Sequence, residues 1–158
     1  MKVVLINNLF FPHGFGGAEH IIEDMADELI RDGNEVVVVS TSERSQHEYY
    51  KNLKVYRAKV INLYPYGKGH EYSVFSRFIW QCVNMFNVHG FFVLKHILKR
   101  ERPNYVVYHN TMGFGWFAFD AARALSIPFH LYLHDVQLAM PSGLVLKGKE
   151  SNHVLEKI

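Results

Sequence analysis

The chain has 158 residues, of which 49% are apolar and 20% charged, and its formal net charge is +2. This composition is typical of one globular domain with a single core, and it excludes disordered and fibrous proteins. The small charge, without a run of lysines and arginines, argues against nucleic acid as a partner. The only cysteine, Cys82, excludes an internal disulfide and fits a reducing compartment. Because no apolar stretch is long enough for a signal peptide or a membrane-spanning helix, we expect a cytoplasmic protein.

The first forty residues alternate between strand and helix patterns. Residues 3–6 and 36–39 are short apolar runs rich in β-branched side chains, which is typical of strands buried on both faces. Between them lie a glycine-containing loop at 7–17 and an amphipathic helix pattern at 18–31, which Gly33 should end. This order predicts one βαβ unit with parallel strands and a right-handed crossover.

The rest of the chain continues the alternation. Residues 54–62 predict a third strand, and residues 72–102 a mostly helical region that divides near Gly90. Two further strand patterns and one helix pattern follow, at 105–108, 129–133 and 114–125 respectively. We therefore expect a single α/β domain over residues 1–158, with a doubly wound, Rossmann-like parallel sheet.

Three polar or glycine-rich segments follow strands of the predicted sheet. They are the loop at 7–17, His109 with Asn110, and His134 with Asp135. In an open parallel sheet, ligands bind beyond the carboxyl ends of the strands, where the strand order reverses. We expect the three segments to meet there and to form the binding site.

Gly16 and Gly17 lie directly before the first predicted helix. Backbone N–H groups at a helix start attract an anion, and glycines let a phosphate approach the main chain. The pair therefore predicts a diphosphate site, and a flexible connection is the alternative. Glu19, in the first turn, fits helix stabilisation as well as ligand contact. NAD binding is disfavoured, because Glu19 stands where the dinucleotide fingerprint requires a third glycine and no acidic residue follows the second strand.

His109 and His134 occupy corresponding positions, each where a strand meets its loop. An imidazole at such an edge can hydrogen-bond a sugar or take part in proton transfer. The alternative is a neutral side chain held by backbone carbonyls, and both interpretations stay open. The chain contains no H-E-x-x-H or H-x-H pattern, so we expect no metal site.

Aromatic and basic side chains alternate along residues 64–102. Such a segment can seat a helix on the anionic inner face of a membrane, or hold a lipid-linked acceptor. Ordinary packing of a long helical region on the sheet is the favoured interpretation, and membrane contact is the alternative.

The ordered set of these segments resembles the family 4 glycosyltransferases, which begin with a strand, a proline-containing loop and a G-G-x-E turn into the first helix. The resemblance extends over the whole chain, most firmly at residues 1–40 and 104–141. The residues that carry it are, in chain order, 3–8, Pro12, 16–19, His109 and Asn110, 121–125, 127–128 and 133–135.

The resemblance implies a GT-B fold, in which two Rossmann-like domains face each other across a cleft. It also implies retaining transfer from a nucleotide-sugar donor to a sugar or lipid-linked acceptor, with no cofactor and no required metal. Gly16 and Gly17 would approach the donor diphosphate, and His134 would face the donor sugar near the reacting centre. His109 and Asn110 would line the acceptor side, and Asp135 would contribute to sugar binding.

The family's second domain, which binds the nucleotide sugar, has no counterpart in this chain. Catalysis depends on preorganised groups from both walls of the cleft, so we expect this acceptor-side half alone to have little activity. The alternative function is that of a stand-alone module, which would bind a phosphorylated or glycosylated ligand without turnover.

Overall fold

The computed structural model describes residues 1–14, 16–64 and 71–134. Within these ranges the chain forms six strands and four helices. The strands are β1 (Lys2–Ile6), β2 (Glu35–Ser42), β3 (Gln46–Tyr50), β4 (Leu53–Lys59), β5 (Tyr105–Tyr108) and β6 (Phe129–Leu131). The helices are α1 (Gly17–Arg31), α2 (Val74–Met85), α3 (Val88–Glu101) and α4 (Ala118–Arg123).

The strands form one sheet in the order β3-β4-β2-β1-β5-β6. All neighbouring pairs are parallel except β3 and β4, which are antiparallel. The chain builds outward from β1 in both directions, so the strand order reverses between β1 and β5. The predicted α/β class and doubly wound sheet are confirmed, and the antiparallel edge strand β3 is an addition to them.

Both faces of the sheet are buried, as its continuous apolar strands require. Val3 and Leu5 of β1 pack on the face covered by α1, against Ile22 and Ala26. The alternate β1 side chains lie in the opposite core, to which α3 and α4 contribute. The members of that core from these two helices are Leu94, Ile97, Leu98, Ala118, Ala121 and Ala122. The binding edge is therefore supported by helices on both sides of the sheet.

The helical region between β4 and β5 divides into two helices, as predicted, but the break lies at Phe86 and Asn87 and Gly90 is inside α3. The Asn87 side chain caps the start of α3, because it accepts a hydrogen bond from the N–H of Gly90 at 3.0 Å. Gly90 is buried within the first turn of α3 for another reason. A Cβ at this position would lie 2.0 Å from the carbonyl oxygen of Phe114. The glycine therefore permits close approach of α3 to the segment after β5.

Two later elements are shorter than the sequence predicts. The helix expected at 114–125 covers only Ala118–Arg123, because Gly113 and Gly115 adopt positive φ values of 92° and 80° and turn the chain before it. The last strand ends at Leu131 instead of residue 133. None of the helices in the described ranges has the length and apolar character needed to cross a membrane.

Candidate functional site

The reversal of strand order places the ends of β1 and β5 side by side. Asn7 follows β1, and its N–H donates to the carbonyl of Val39 at 3.0 Å. His109 follows β5, and its N–H donates to the carbonyl of Ile6 at 2.8 Å. Both side chains are buried. Two polar side chains thus stand at the edge of the sheet where the ligand of a doubly wound fold binds.

The structure brings His109 and His134 together. Nδ1 of His109 lies 2.6 Å from Nε2 of His134, and the two rings overlap with centroids 4.9 Å apart. The ring of Tyr132 stacks on His109 with a centroid distance of 5.4 Å. Beyond β6 the chain stays on the sheet edge, because the N–H of Tyr132 donates to the carbonyl of Tyr108 at 2.7 Å. The two histidines therefore form one hydrogen-bonded pair.

The environment of His109 keeps its ring neutral. Burial, and to a smaller extent the neighbouring His134, lowers the pKa of His109 from 6.5 to about 4. Its Nε2 atom is buried and has no hydrogen-bond partner among the described residues, and the same holds for Oδ1 of Asn7. His134 is only half-buried, so it is the member of the pair that a ligand can reach.

The loop between β1 and α1 is organised around Glu19. The side-chain amide of Asn7 donates to the carbonyl of Leu9 at 2.7 Å and to Oε1 of Glu19 at 3.3 Å. Glu19 is buried, and a Cβ on Gly16 would lie 2.6 Å from its Oε2. A Cβ on Gly17 would have no neighbour within 4 Å. Gly16 thus leaves room for the Glu19 carboxylate, whereas Gly17 presents open main chain at the helix start.

Arg57 holds the first part of this loop and was missed by the sequence analysis. It is buried in the middle of β4, and its Nη1 donates to the carbonyl of Phe10 at 3.0 Å and to Oγ of Ser40 at 2.8 Å. Its Nη2 donates to the carbonyl of Phe11, and its Nε to Glu48 at 2.7 Å. A basic residue inside an apolar strand pattern was the available signal, since a buried charge requires this degree of pairing.

The loop after β5 is held by two buried asparagines that the sequence analysis also missed. Oδ1 of Asn84 accepts from the N–H of Gly113 at 2.6 Å, and the amide of Asn87 donates to the carbonyl of the same glycine at 2.8 Å. Asn110, in the same loop, accepts from the N–H of Met112 at 2.9 Å. The side-chain oxygen of Asn110 therefore shapes the turn.

Comparison with known proteins identifies the family. Residues 15–155 match the sequence profile described as Glycosyltransferase Family 4. The chain belongs to glycosyltransferase family 4. An uncharacterized 42.6 kDa protein in the cps region of Klebsiella pneumoniae is 24% identical over 125 residues, which cover 78% of this chain and 34% of that protein. The family 4 chain therefore spans about a third of the length of this curated relative.

Two solved glycosyltransferase structures resemble the family 4 domain. Sucrose-phosphate synthase from Thermosynechococcus elongatus matches with a TM-score of 0.51 and 10% identity, over 97% of this chain and 37% of that one. The glycosyltransferase VinC, solved in complex with dTDP, matches with a TM-score of 0.45 and 16% identity, over 84% of this chain and 34% of that one. The first match supports the GT-B type of fold for the domain.

A cavity of about 680 Å³ opens beside the candidate site of the family 4 domain. Its lining includes Leu9 and Gly113, which belong to the two loops that follow β1 and β5. Its charged lining residues include Arg44, Lys59 and Glu43. Within residues 1–14, 16–64 and 71–134 no group of three His, Cys, Asp or Glu side chains could hold a metal ion. Asp135, predicted to contribute to sugar binding, lies outside the described residues.

Proposed function

We propose that this family 4 domain is the acceptor-side half of a glycosyltransferase. It would transfer a sugar from a nucleotide-sugar donor to an acceptor with retention of anomeric configuration, without a required metal, together with a separate C-terminal donor domain. The observation that carries the proposal is the histidine pair at the strand reversal, at the same edge of the sheet as the open main chain at Gly17. A half-buried imidazole and a helix start at one edge of the sheet would suit a donor that carries a sugar on a diphosphate, because a helix start attracts an anion.

In this proposal the site residues divide by accessibility. His134 contacts the donor sugar near the reacting centre, since it is the less buried member of the pair. Asn110 is half-buried and lines the acceptor side. His109 is buried, so it would form the inner wall of the same side. The acceptor binds in the adjoining cavity, where Arg44 and Lys59 favour an acceptor that carries an anionic group.

The experiment that tests the proposal is a transfer assay on the full natural polypeptide that contains this chain. A panel of nucleotide sugars is supplied with neutral and phosphorylated sugar acceptors, and nucleoside diphosphate release is measured. The proposal expects release with at least one donor, and NMR should show the donor's anomeric configuration in the product. Donor binding without turnover would favour the stand-alone binding module, and an inverted product would overturn retention.

The same assay tests the proposed contact between Gly17 and the donor diphosphate. We expect Gly17→Val to raise the donor KM at least ~10-fold, a loss of about 1.4 kcal/mol in binding, because the side chain occupies the space of the phosphate. The fold should tolerate the change, since nothing lies within 4 Å of the added Cβ. Thermal unfolding checks this, and Gly17→Ala serves as the smaller matched change. An unchanged donor KM in Gly17→Val would remove Gly17 from the donor site.

An apolar surface on α2 and the start of α3 favours a second role, contact with the anionic cytoplasmic face of a membrane. Its exposed members include Val74, Phe75, Phe78, Phe86, Val88 and Phe92. Residues 72–100 contain four lysines and arginines and no aspartate or glutamate. An exposed apolar face without acidic side chains is the arrangement that anionic lipid attracts.

Vesicle co-sedimentation tests the membrane contact. We expect the protein to sediment with vesicles that contain phosphatidylglycerol, more weakly with phosphatidylcholine alone, and less at high salt. Phe75→Ser combined with Phe78→Ser should abolish most of the binding. Tyr49→Ser is the matched control, because Tyr49 and Phe75 are both 71% exposed and Tyr49 lies on the edge strand β3, outside α2 and α3. Equal binding of the control and the double variant would contradict the contact.

A further inference from the structure

We propose that Asn87 is a positioning residue for the acceptor, because its side-chain amide holds together two loops that line the proposed acceptor cavity. Asn87 is buried at the start of α3. Its Nδ2 donates to the carbonyl of Ile61 at 3.1 Å and to the carbonyl of Gly113 at 2.8 Å. The inference rests on the proposed function in one respect, since it takes the acceptor to be the ligand of this cavity.

The two loops follow strands that are not neighbours. Ile61 lies in the segment after β4, and Gly113 lies in the segment after β5. In the sheet of the described strands, β2 and β1 stand between β4 and β5. Pairing of β4 with β5 therefore cannot fix the distance between the two segments. The amide of Asn87 links them directly, from one side chain to both backbones.

Both segments form part of the cavity wall. Val60 and Asn62, the residues before and after Ile61, line the cavity, which has a volume of about 680 Å³. Gly113 lines it from the other segment. The two segments are close together there, because a Cβ on Gly113 would lie 3.4 Å from Cγ2 of Val60. A shift of either segment therefore changes the shape of the cavity.

The cap of α3 sets the direction in which Asn87 donates. Its Oδ1 accepts a hydrogen bond from the N–H of Gly90 at 3.0 Å, which holds the amide plane on the helix. The amide nitrogen carries two hydrogens, one for each of the two carbonyls. Gly113 is also held at its N–H, which donates to Oδ1 of Asn84 at 2.6 Å. Asn87 is thus preorganised to hold both loops against the start of α3.

Loss of the two donated bonds should weaken acceptor binding more than donor binding. A misplacement of about 1 Å at a substrate site can cost about 100-fold in rate, because the substrate is no longer aligned. The loop between β1 and α1, which leads to the proposed phosphate contact, is held by Arg57 instead. Donor binding should therefore depend little on Asn87.

Asn87→Asp in the full natural polypeptide tests the inference. Aspartate caps a helix about as well as asparagine and is nearly the same size, but its carboxylate lacks both N–H donors. In the transfer assay we expect the acceptor KM to rise at least ~10-fold and the donor KM to stay unchanged. Asn87→Ser, which also caps a helix and adds no charge, should give the same pattern. The control Asn34→Asp removes an amide donor to the carbonyl of Leu29, before the start of β2, and should leave both KM values unchanged.

Hydrogen exchange of the Gly113 amide, measured by NMR on the same polypeptide, is a readout that needs no sugar transfer. We expect exchange at least ~10-fold faster in Asn87→Asp and unchanged in Asn34→Asp, because the loop opens more often without its link to Asn87. Unchanged exchange in both Asn87 variants would overturn the inference. Faster exchange with an unchanged acceptor KM would also overturn it, and so would a donor KM that rises as much as the acceptor KM. A wild-type protein without transfer would contradict the proposed function, and the exchange of Gly113 would still decide whether Asn87 holds the loop.

Discussion

Gly90→Ala should destabilise the domain by about 3 kcal/mol, the upper part of the range for an added methyl group in a packed interior. The added Cβ would lie 2.0 Å from the carbonyl oxygen of Phe114, 2.8 Å from its carbonyl carbon and 2.9 Å from its Cα. These are backbone atoms, so no side-chain rotation can relieve the contact. Either α3 or the segment that follows His109 must shift. Chemical denaturation of the wild-type and variant proteins measures the loss.

Helix propensity makes the opposite prediction for the same substitution. Alanine in place of a glycine inside a helix stabilises it by roughly 1 kcal/mol when packing is unaffected. The sign of the change in unfolding free energy therefore decides between close approach and simple helix preference at Gly90. Gly17→Ala is the matched control, because its added Cβ meets nothing within 4 Å and should change stability by less than ~0.5 kcal/mol. A stable Gly90→Ala would show that the α3 contact is looser than the structure has it.

Gly90 also shows a structural role that a sequence pattern does not reveal. Glycine in a helical run predicts a break, and the sequence analysis placed one there, yet the helices divide at Phe86 and Asn87. Nothing local distinguishes a glycine that ends a helix from one that faces another segment's backbone. The central strands were easier to predict: β5 was predicted with its observed bounds, and the predicted bounds of β1 differ from the observed ones by one residue. Continuous β-branched runs leave no competing assignment for a strand buried on both faces.

The sequence analysis missed the edge strand β3 because this strand lacks the continuous apolar pattern of the central strands. Its side chains are exposed or half-buried and mostly polar, so the residues at Gln46–Tyr50 show no apolar pattern. Its pairing with β4 depends on the turn at Lys51, where φ is 52°. The general rule that ligands bind where parallel strands end did bring His109 and His134 together from sequence alone. The rule carries no information on which atoms meet, so the hydrogen bond between the rings was not predictable.

The polar contacts that hold the two loops could not be predicted from the sequence for a related reason. Arg57 and Glu48 belong to neighbouring strands, and Asn84 contacts a glycine 29 positions away. A sequence gives no distance between such residues before the fold is known. It does indicate that a charged or amide side chain in an apolar pattern needs a partner. The positions of the polar anchors could therefore be suspected, and their partners could not.

His134→Phe should lower kcat for sugar transfer at least ~100-fold in the full natural polypeptide, because the ring remains while its hydrogen-bonding nitrogens are lost. Removal of one donor that stabilises charge in the transition state costs about 100- to 1,000-fold. The same substitution should also destabilise the domain by about 1–3 kcal/mol, since the buried Nδ1 of His109 loses its hydrogen-bond partner. Steady-state kinetics and chemical denaturation measure the two losses separately.

The double variant His109→Phe with His134→Phe separates catalysis from stability. Replacing both partners of a buried hydrogen bond by apolar groups of similar shape is nearly neutral, so we expect most of the stability to return. The catalytic nitrogen is still missing, so kcat should stay as low as in the single variant. If kcat instead recovers together with stability, His134 acts only through packing and has no direct contact with the reacting sugar. An equal loss of kcat in His130→Ala, an exposed position on β6, would point to general damage at this sheet edge instead of a specific role for His134.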